Sequence, residues 1–335
     1  MNVFQRYLSE EFAEDFQEGR LPRREALKLI ASVTGSMLLA ESILAACTPA
    51  SSTDSTAASS GGTSRPPSSA GSTKAPSTST APPAPASGAA PPTSPPLGTV
   101  DPDDPDLETA DVQFPGEGAE ISAYLARPRG DGPFPVILVC HENRGLTDHI
   151  RDVARRLAKA GYLALAVDLL SRQGGTQAVG NDAVPGVLGN LPPDQFVSDF
   201  RHGWEYLKGL PPADVDRVGM VGFCFGGGVT WLVATRMPEL LAAVPFYGPH
   251  PPVEDVAAIR AAVLAIYAGR DERINQGRPA IEAAMIAQGK TFEAVVYPDV
   301  DHAFHNDTGS RYAPEAARDA WRRTLEWFDR YVRGA

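Results

Sequence analysis

Cysteine is scarce in this chain: three in 335 residues, Cys47, Cys140 and Cys224. An odd, sparse set is not a disulfide framework. Long apolar runs are missing as well. No 18-residue stretch lacks a charge or a polar break, so no ordinary transmembrane helix is expected. Positive charge falls short of negative, with 30 Lys and Arg against 41 Asp and Glu and a net charge of −11. That balance argues against a general nucleic-acid-binding role. Aromatic residues are absent from residues 48–105, which are nearly all Ser, Thr, Ala, Pro and Gly. Such a segment cannot bury enough apolar surface to offset its ordering entropy, so a flexible tether is expected there.

Two other zones flank that stretch. Residues 1–47 contain "LPRREALKLIASVTGSMLLAESILAAC". Arg23 and Arg24 precede a moderately apolar stretch that ends in small residues, the arrangement of an export signal and not of a folded element. The string "RREALK" resembles a twin-arginine signal, and "LAAC" resembles a bacterial lipobox. The resemblance implies cleavage before Cys47, a lipid on its sulfur and an envelope-anchored protein that meets the membrane through that lipid. Glu41 interrupts the apolar stretch. The alternative is an amphipathic helix with no export value.

Residues 106–335 read as one α/β domain. "PFPVILVCHE", "LALAVDLL", "DRVGMVGF", "LAAVPFYG", "AAVLAIYAG" and "FEAVVYP" read as strands, and helical periodicity fills most of the gaps between them. The alternation predicts a mostly parallel sheet covered by helices on both faces. "ISAYLARP" is expected to add an edge strand.

The chemistry concentrates in "GFCFGGG", residues 222–228, which lies between a predicted strand and a predicted helix. A nucleophile elbow needs that setting. The turn is too tight for side chains on its flanks, and Gly222 and Gly226 supply their absence. Free N–H groups at the helix start favour a thiolate and should lower the pKa of Cys224. A nucleophile needs a base, and the base an orienting group. Asp271 follows a buried strand in "YAGRDERIN"; His302 follows the next strand in "PDVDHAFHN". Cys224, Asp271 and His302 thus stand in the order nucleophile, acid, base, each at a strand end. Taken singly, Asp271 could equally be a helix N-cap and His302 a loop histidine. Oxyanion donors are expected from Phe225, next after the nucleophile, and from Asn143 in the loop "HENRG". Glu142 in that loop should face the elbow and oppose thiolate formation. Cys140 is expected in the core of its strand, close enough to Cys224 to raise the question of a disulfide.

These stretches resemble the dienelactone hydrolase family, thiol-dependent members of the α/β-hydrolase fold. The similarity runs over residues 115–335 through "VCHENRGL", "AVDLLSRQGGT", "VGFCFGGG", "YAGRDERI" and "DHAFHND". It implies a Cys224–His302–Asp271 triad, an acyl-enzyme and small ester or lactone substrates. It makes Glu142 the modulating acid and Arg172 one holder of a substrate carboxylate. The position of a second such arginine is Asn306 here, and Ala303 stands where founding members have serine. The resemblance implies no cofactor and no metal.

Other classes compete with this reading. The chain lacks the C-G-[SA]-C-[WY] signature of a papain-like protease. The glycines fit neither dinucleotide nor P-loop spacing, and "HENRG" lacks the second histidine of a metalloprotease. A catalytically silent ligand-binding module on a lipid anchor would account for the same signal and tether.

Overall fold

Continuous Val-, Ile- and Leu-rich runs become the middle of an eight-stranded sheet. The computed structural model describes residues 1–47 and 97–334. Its strands are β1 (Leu107–Gly116), β2 (Ala119–Pro128), β3 (Phe134–Cys140), β4 (Leu163–Val167), β5 (Ala213–Phe223), β6 (Ala242–Phe246), β7 (Ala262–Ala268) and β8 (Phe292–Tyr297). They lie in the order β1-β2-β4-β3-β5-β6-β7-β8. β1–β2 and β2–β4 pair antiparallel. All pairs from β4 to β8 are parallel. β4, β6 and β7 are buried along their whole length, as expected for parallel strands covered on both faces. One expectation needs correction. The stretch "ISAYLARP" falls in β2, which is not the edge. β1 lies outside it, with the charged residues Glu108 and Asp111 on the outermost strand. Charges on an open strand discourage pairing with a second chain.

The helices, in chain order, are α1 (Val3–Gln17), α2 (Arg23–Thr34), α3 (Met37–Cys47), α4 (Asp148–Lys159), α5 (Thr176–Val179), α6 (Val184–Asn190), α7 (Pro193–Leu207), α8 (Phe225–Arg236), α9 (Glu272–Asn275), α10 (Arg278–Ala287) and α11 (Pro314–Phe328). α8 follows β5 directly and is buried on nearly every side, from Phe225 to Thr235. A helix apolar all round belongs inside a fold. The chain before β1 is already held: the Leu97 amide donates to the Tyr312 hydroxyl and the Val100 amide to Asp152. Most of the expected tether, residues 48–96, lies outside the described residues.

The second correction concerns residues 1–47. The export-signal reading made them no folded element, but they form three helices packed on the hydrolase-like domain. α1 starts with a capping box: the Gln5 amide donates to the Asn2 side chain, and the Asn2 amide donates to the Gln5 side chain. Phe4, Tyr7, Leu8, Glu11 and Phe12 recur at helical spacing and are buried. In α2, Ala26, Leu29, Ile30 and Val33 form a second buried stripe. The apolar stretch after the arginine pair therefore has a protein partner, around α1 and α6. The Asn190 side chain donates to the Ser32 carbonyl, and the Asn2 side chain to the Gly189 carbonyl. Phe4 packs edge-on to Phe196 of α7 and against Phe225 of α8, at centroid distances of 5.3 and 4.9 Å. A large apolar side chain buried this way contributes on the order of 1.5–3 kcal/mol. Arg23 and Arg24 themselves remain exposed. No helix among the described residues is long and apolar enough to cross a membrane.

Candidate active site

The elbow is built by close backbone approach. Cys224 has φ 59° and ψ −121°, a conformation L-residues seldom adopt, and it is the residue just before α8. A Cβ on Gly222 would lie 2.2 Å from the Gly226 carbonyl oxygen, and one on Gly226 would lie 2.4 Å from that of His141. Both glycines are therefore required by contact as well as by turn geometry. β3 and β5 are neighbours, with Cys140 opposite Gly222, so the "HENRG" loop comes beside the elbow. Cys140 is fully buried in β3, and both it and Cys224 are free thiols.

The three residues expected to act together do meet. The His302 Nδ1 lies 2.6 Å from Asp271 Oδ2. The other Asp271 oxygen accepts the Ile274 amide at 3.1 Å, capping α9. Asp271 thus caps α9 with one oxygen and meets His302 with the other. A ring nitrogen of His302 and the Cys224 Sγ lie within 4.8 Å of each other. Phe225 opens α8, where backbone N–H groups have no intrahelical partner. Glu142, Asn143 and Asn306 line a cavity of about 200 Å³ with Cys224. The Asn306 side chain donates to Glu142 at 2.7 Å, which fixes both.

Arg172 is not brought to this cavity. Its guanidinium holds both oxygens of the fully buried Asp199, at 2.6 and 2.8 Å, and the Glu117 carbonyl. That buried carboxylate would otherwise stand unpaired, which is why the arginine is turned inward. Arg144 and Arg311 are the cations that line the cavity instead.

Sequence reasoning missed the largest contribution to the site, which comes from α1. The Tyr7 hydroxyl lies 3.1 Å from Cys224 Sγ and 3.2 Å from His302 Nε2. Glu11, one turn further, places its carboxylate oxygens 3.8 and 3.9 Å from Sγ and 3.9 Å from His302 Nε2. The Asn143 side chain donates to that same carboxylate at 3.1 Å. Arg273 sits over the Tyr7 ring, 4.6 Å from its centroid, and pairs with Glu14; Arg311 pairs with Asp15. A signal existed in the sequence: an Asn-x-x-Gln cap followed by a helical stripe that contains a carboxylate where apolar residues would suffice.

These neighbours set the electrostatics. The expected lowering of the Cys224 pKa is reversed. Burial first, and the Glu11 carboxylate second, push the thiol up, against the pull of His302. Glu142 acts in the same direction as Glu11 but more weakly. Burial disfavours the His302 imidazolium, yet Asp271 and Cys224 outweigh it and hold the ring at about 10. Burial likewise opposes the Asp271 carboxylate, but His302 holds it below the ordinary range. The thiol resists ionisation, and a proton once passed to His302 is held there by Asp271 and by the thiolate left behind. Glu11, Cys224 and His302 also form the kind of carboxylate–thiol–imidazole cluster that can hold a soft divalent cation.

A parallel sheet with a thiol on a strained strand-to-helix turn, an imidazole and a carboxylate at the following strand ends, and helices on both faces defines an α/β-hydrolase. The chain belongs to the dienelactone hydrolase family, which it matches over residues 121–332. It is 41% identical over 234 residues to a Methylorubrum extorquens protein named "Putative carboxymethylenebutenolidase", covering 66% of this chain and 80% of that one. An Escherichia coli K12 protein of the same name is 37% identical over 236 residues, 66% of this chain and 86% of its own. The structure of a "Putative Dienelactone Hydrolase" from Klebsiella pneumoniae superposes with a TM-score of 0.63 at 35% identity, covering 67% of this chain and 99% of that one.

Proposed function

We propose that the protein hydrolyses small esters or lactones through a thioester on Cys224. The observation that carries this reading is the grouping of the Cys224 sulfur, the His302 imidazole and the Asp271 carboxylate at the carboxyl ends of β5, β8 and β7. In this mechanism Cys224 loses its proton to His302 Nε2, and the thiolate attacks the carbonyl carbon. N–H groups at Phe225 and Asn143 receive the developing oxyanion. The carbonyl carbon–oxygen single bond breaks, and His302 returns the proton to the leaving oxygen. In a lactone that oxygen stays tethered to the acyl group. Water then adds to the thioester as His302 takes its proton, the carbon–sulfur bond breaks, and the acid leaves with the thiol restored. Asp271 keeps Nδ1 protonated and steadies the imidazolium. Glu142, tied to Asn306, restrains the thiolate between turnovers.

Incubation with short aryl esters and five-membered lactones, followed by mass spectrometry of the Cys224 peptide, tests the mechanism. An acyl mass on Cys224 and loss of turnover in Cys224→Ala are expected; unchanged turnover in that variant rejects it.

The localisation reading is a separate proposal. The exposed Arg23–Arg24 pair and the small residues before Cys47 support export and attachment through a lipid on Cys47. Labelled fatty acid supplied to a bacterial host should enter the wild type and not Cys47→Ala. No label on the wild type ends this reading.

A further inference from the structure

We propose that α1 is an intramolecular plug: docked, it closes the site against substrate, and the working form is the one from which α1 has withdrawn. This rests on the hydrolase reading only for what is being held back; the occlusion itself is a statement about access to Cys224.

Four observations carry it. First, the Tyr7 hydroxyl contacts both Cys224 Sγ and His302 Nε2, at 3.1 and 3.2 Å. Nucleophile and base are thereby both engaged by one side chain, in the space a substrate carbonyl must enter. Second, Glu11 brings a carboxylate against a sulfur that must become anionic, and it also takes the side chain of Asn143. A negative charge there opposes the thiolate and any oxyanion beside it. Third, the docking is specific along the helix. Phe4 packs on Phe225, the residue after the nucleophile; Glu14 pairs with Arg273 and Asp15 with Arg311. Cys224 is left 3% exposed and Tyr7 2%, so a substrate cannot reach the sulfur past them. Fourth, α1 lies outside the part of the chain that defines the family: the match covers residues 121–332.

The same segment carries the arginine pair and the small-residue Cys47 site. Cleavage before Cys47 would remove all of α1 and nearly all of the segment that holds it. Activity would then appear only once the signal has done its work.

The test uses the full chain and reads alkylation of Cys224 by iodoacetamide, peptide by peptide, with buried Cys140 as the internal control. Glu14→Arg with Asp15→Arg places like charges against Arg273 and Arg311 at a partly exposed rim, where no core packing is lost. Leu8→Asp with Phe12→Asp removes the apolar seat. Either pair should speed alkylation of Cys224 about tenfold or more and raise ester turnover by a similar factor, the gain being the inverse of the open fraction. Restoring opposite charge, Glu14→Arg with Arg273→Glu, should return alkylation towards the slow rate. Unaltered protein in 1 M salt, where rim pairs are screened, should alkylate faster than in 0.1 M salt; this arm needs no variant to fold. Near-ultraviolet circular dichroism checks that the variants remain folded. Cys224 alkylation at the wild-type rate in both folded variants overturns the plug. So does faster alkylation with a fall in turnover, because α1 would then be part of the working site. Faster alkylation with no ester cleaved by any form leaves the occlusion standing and removes the hydrolase reading.

Discussion

Two helices meet at Cys224, and they do opposite things. α8 grows out of the elbow itself, so its first turn offers N–H groups and the positive end of its dipole to the sulfur. α1 comes from elsewhere in the chain and lies across the site, presenting a phenol and a carboxylate. One end favours negative charge on Cys224 and the other opposes it. With both in place, burial and Glu11 prevail and the thiol is held up. The contrast teaches that a nucleophile's surroundings cannot be read from the elbow alone. The backbone that makes the turn fixes the favourable part, while the unfavourable part arrives from a segment two hundred residues away.

If α8 builds the site and α1 covers it, changes on the α8 side should abolish turnover. The largest effect is expected at the nucleophile. Cys224→Ala should lower kcat/KM for an aryl ester by on the order of 10³-fold or more, and Cys224→Ser should keep only a weak remnant. Steady-state assays check this; a serine variant with near-normal activity would mean that the thiol chemistry is not limiting. Next comes the base. His302→Asn should cost on the order of 10²–10⁴-fold, and Asp271→Asn should act in the same direction, since it leaves the imidazole without its orienting partner.

Smaller effects sharpen the contrast between the site and its supports. Arg172→Ala should leave KM nearly unchanged and cost stability, up to about 3 kcal/mol in urea unfolding, because Asp199 loses its partner in a buried place. A large rise in KM with stability intact would return Arg172 to the substrate site. The smallest effect concerns pH. Because His302 is raised from its ordinary 6.5 to about 10 in the folded protein, its contribution to stability is complete below pH 6.5 and fades as pH rises towards 10. Chemical denaturation from pH 6 to 10 should show that decline. In His302→Asn the decline should be shallower, and an identical slope would mean that the pair is not coupled to folding.

The domain's parallel strands were legible because each is a short apolar run between turn residues; "VILVC" and "AAVLAIYA" could hardly be anything else. Asp271 and His302 were legible because the elbow fixes where along the chain its partners can stand. β1 was not legible. It is an edge strand with alternating exposed residues, and its pairing with β2 rather than its composition makes it a strand. Arg172 was misplaced for a related reason. Its motif marks the loop, but the direction of a long side chain follows from the nearest buried carboxylate.

The N-terminal segment shows the limit most sharply. "RREALK" and "LAAC" read as an address, and nothing in those strings conflicts with a folded helix before them. The sequence by itself determined the parallel sheet, the glycines that the elbow cannot exchange, and the order Cys224, Asp271, His302. These depend on local sterics and on the apolar pattern of each strand. Only the tertiary structure decided that Tyr7 and Glu11 lie on the nucleophile, that Arg172 turns away from it, and that the thiol is held neutral. Those outcomes depend on which distant surfaces meet: burial of the sulfur, joined by one carboxylate a few ångströms away, outweighs what the local turn would favour.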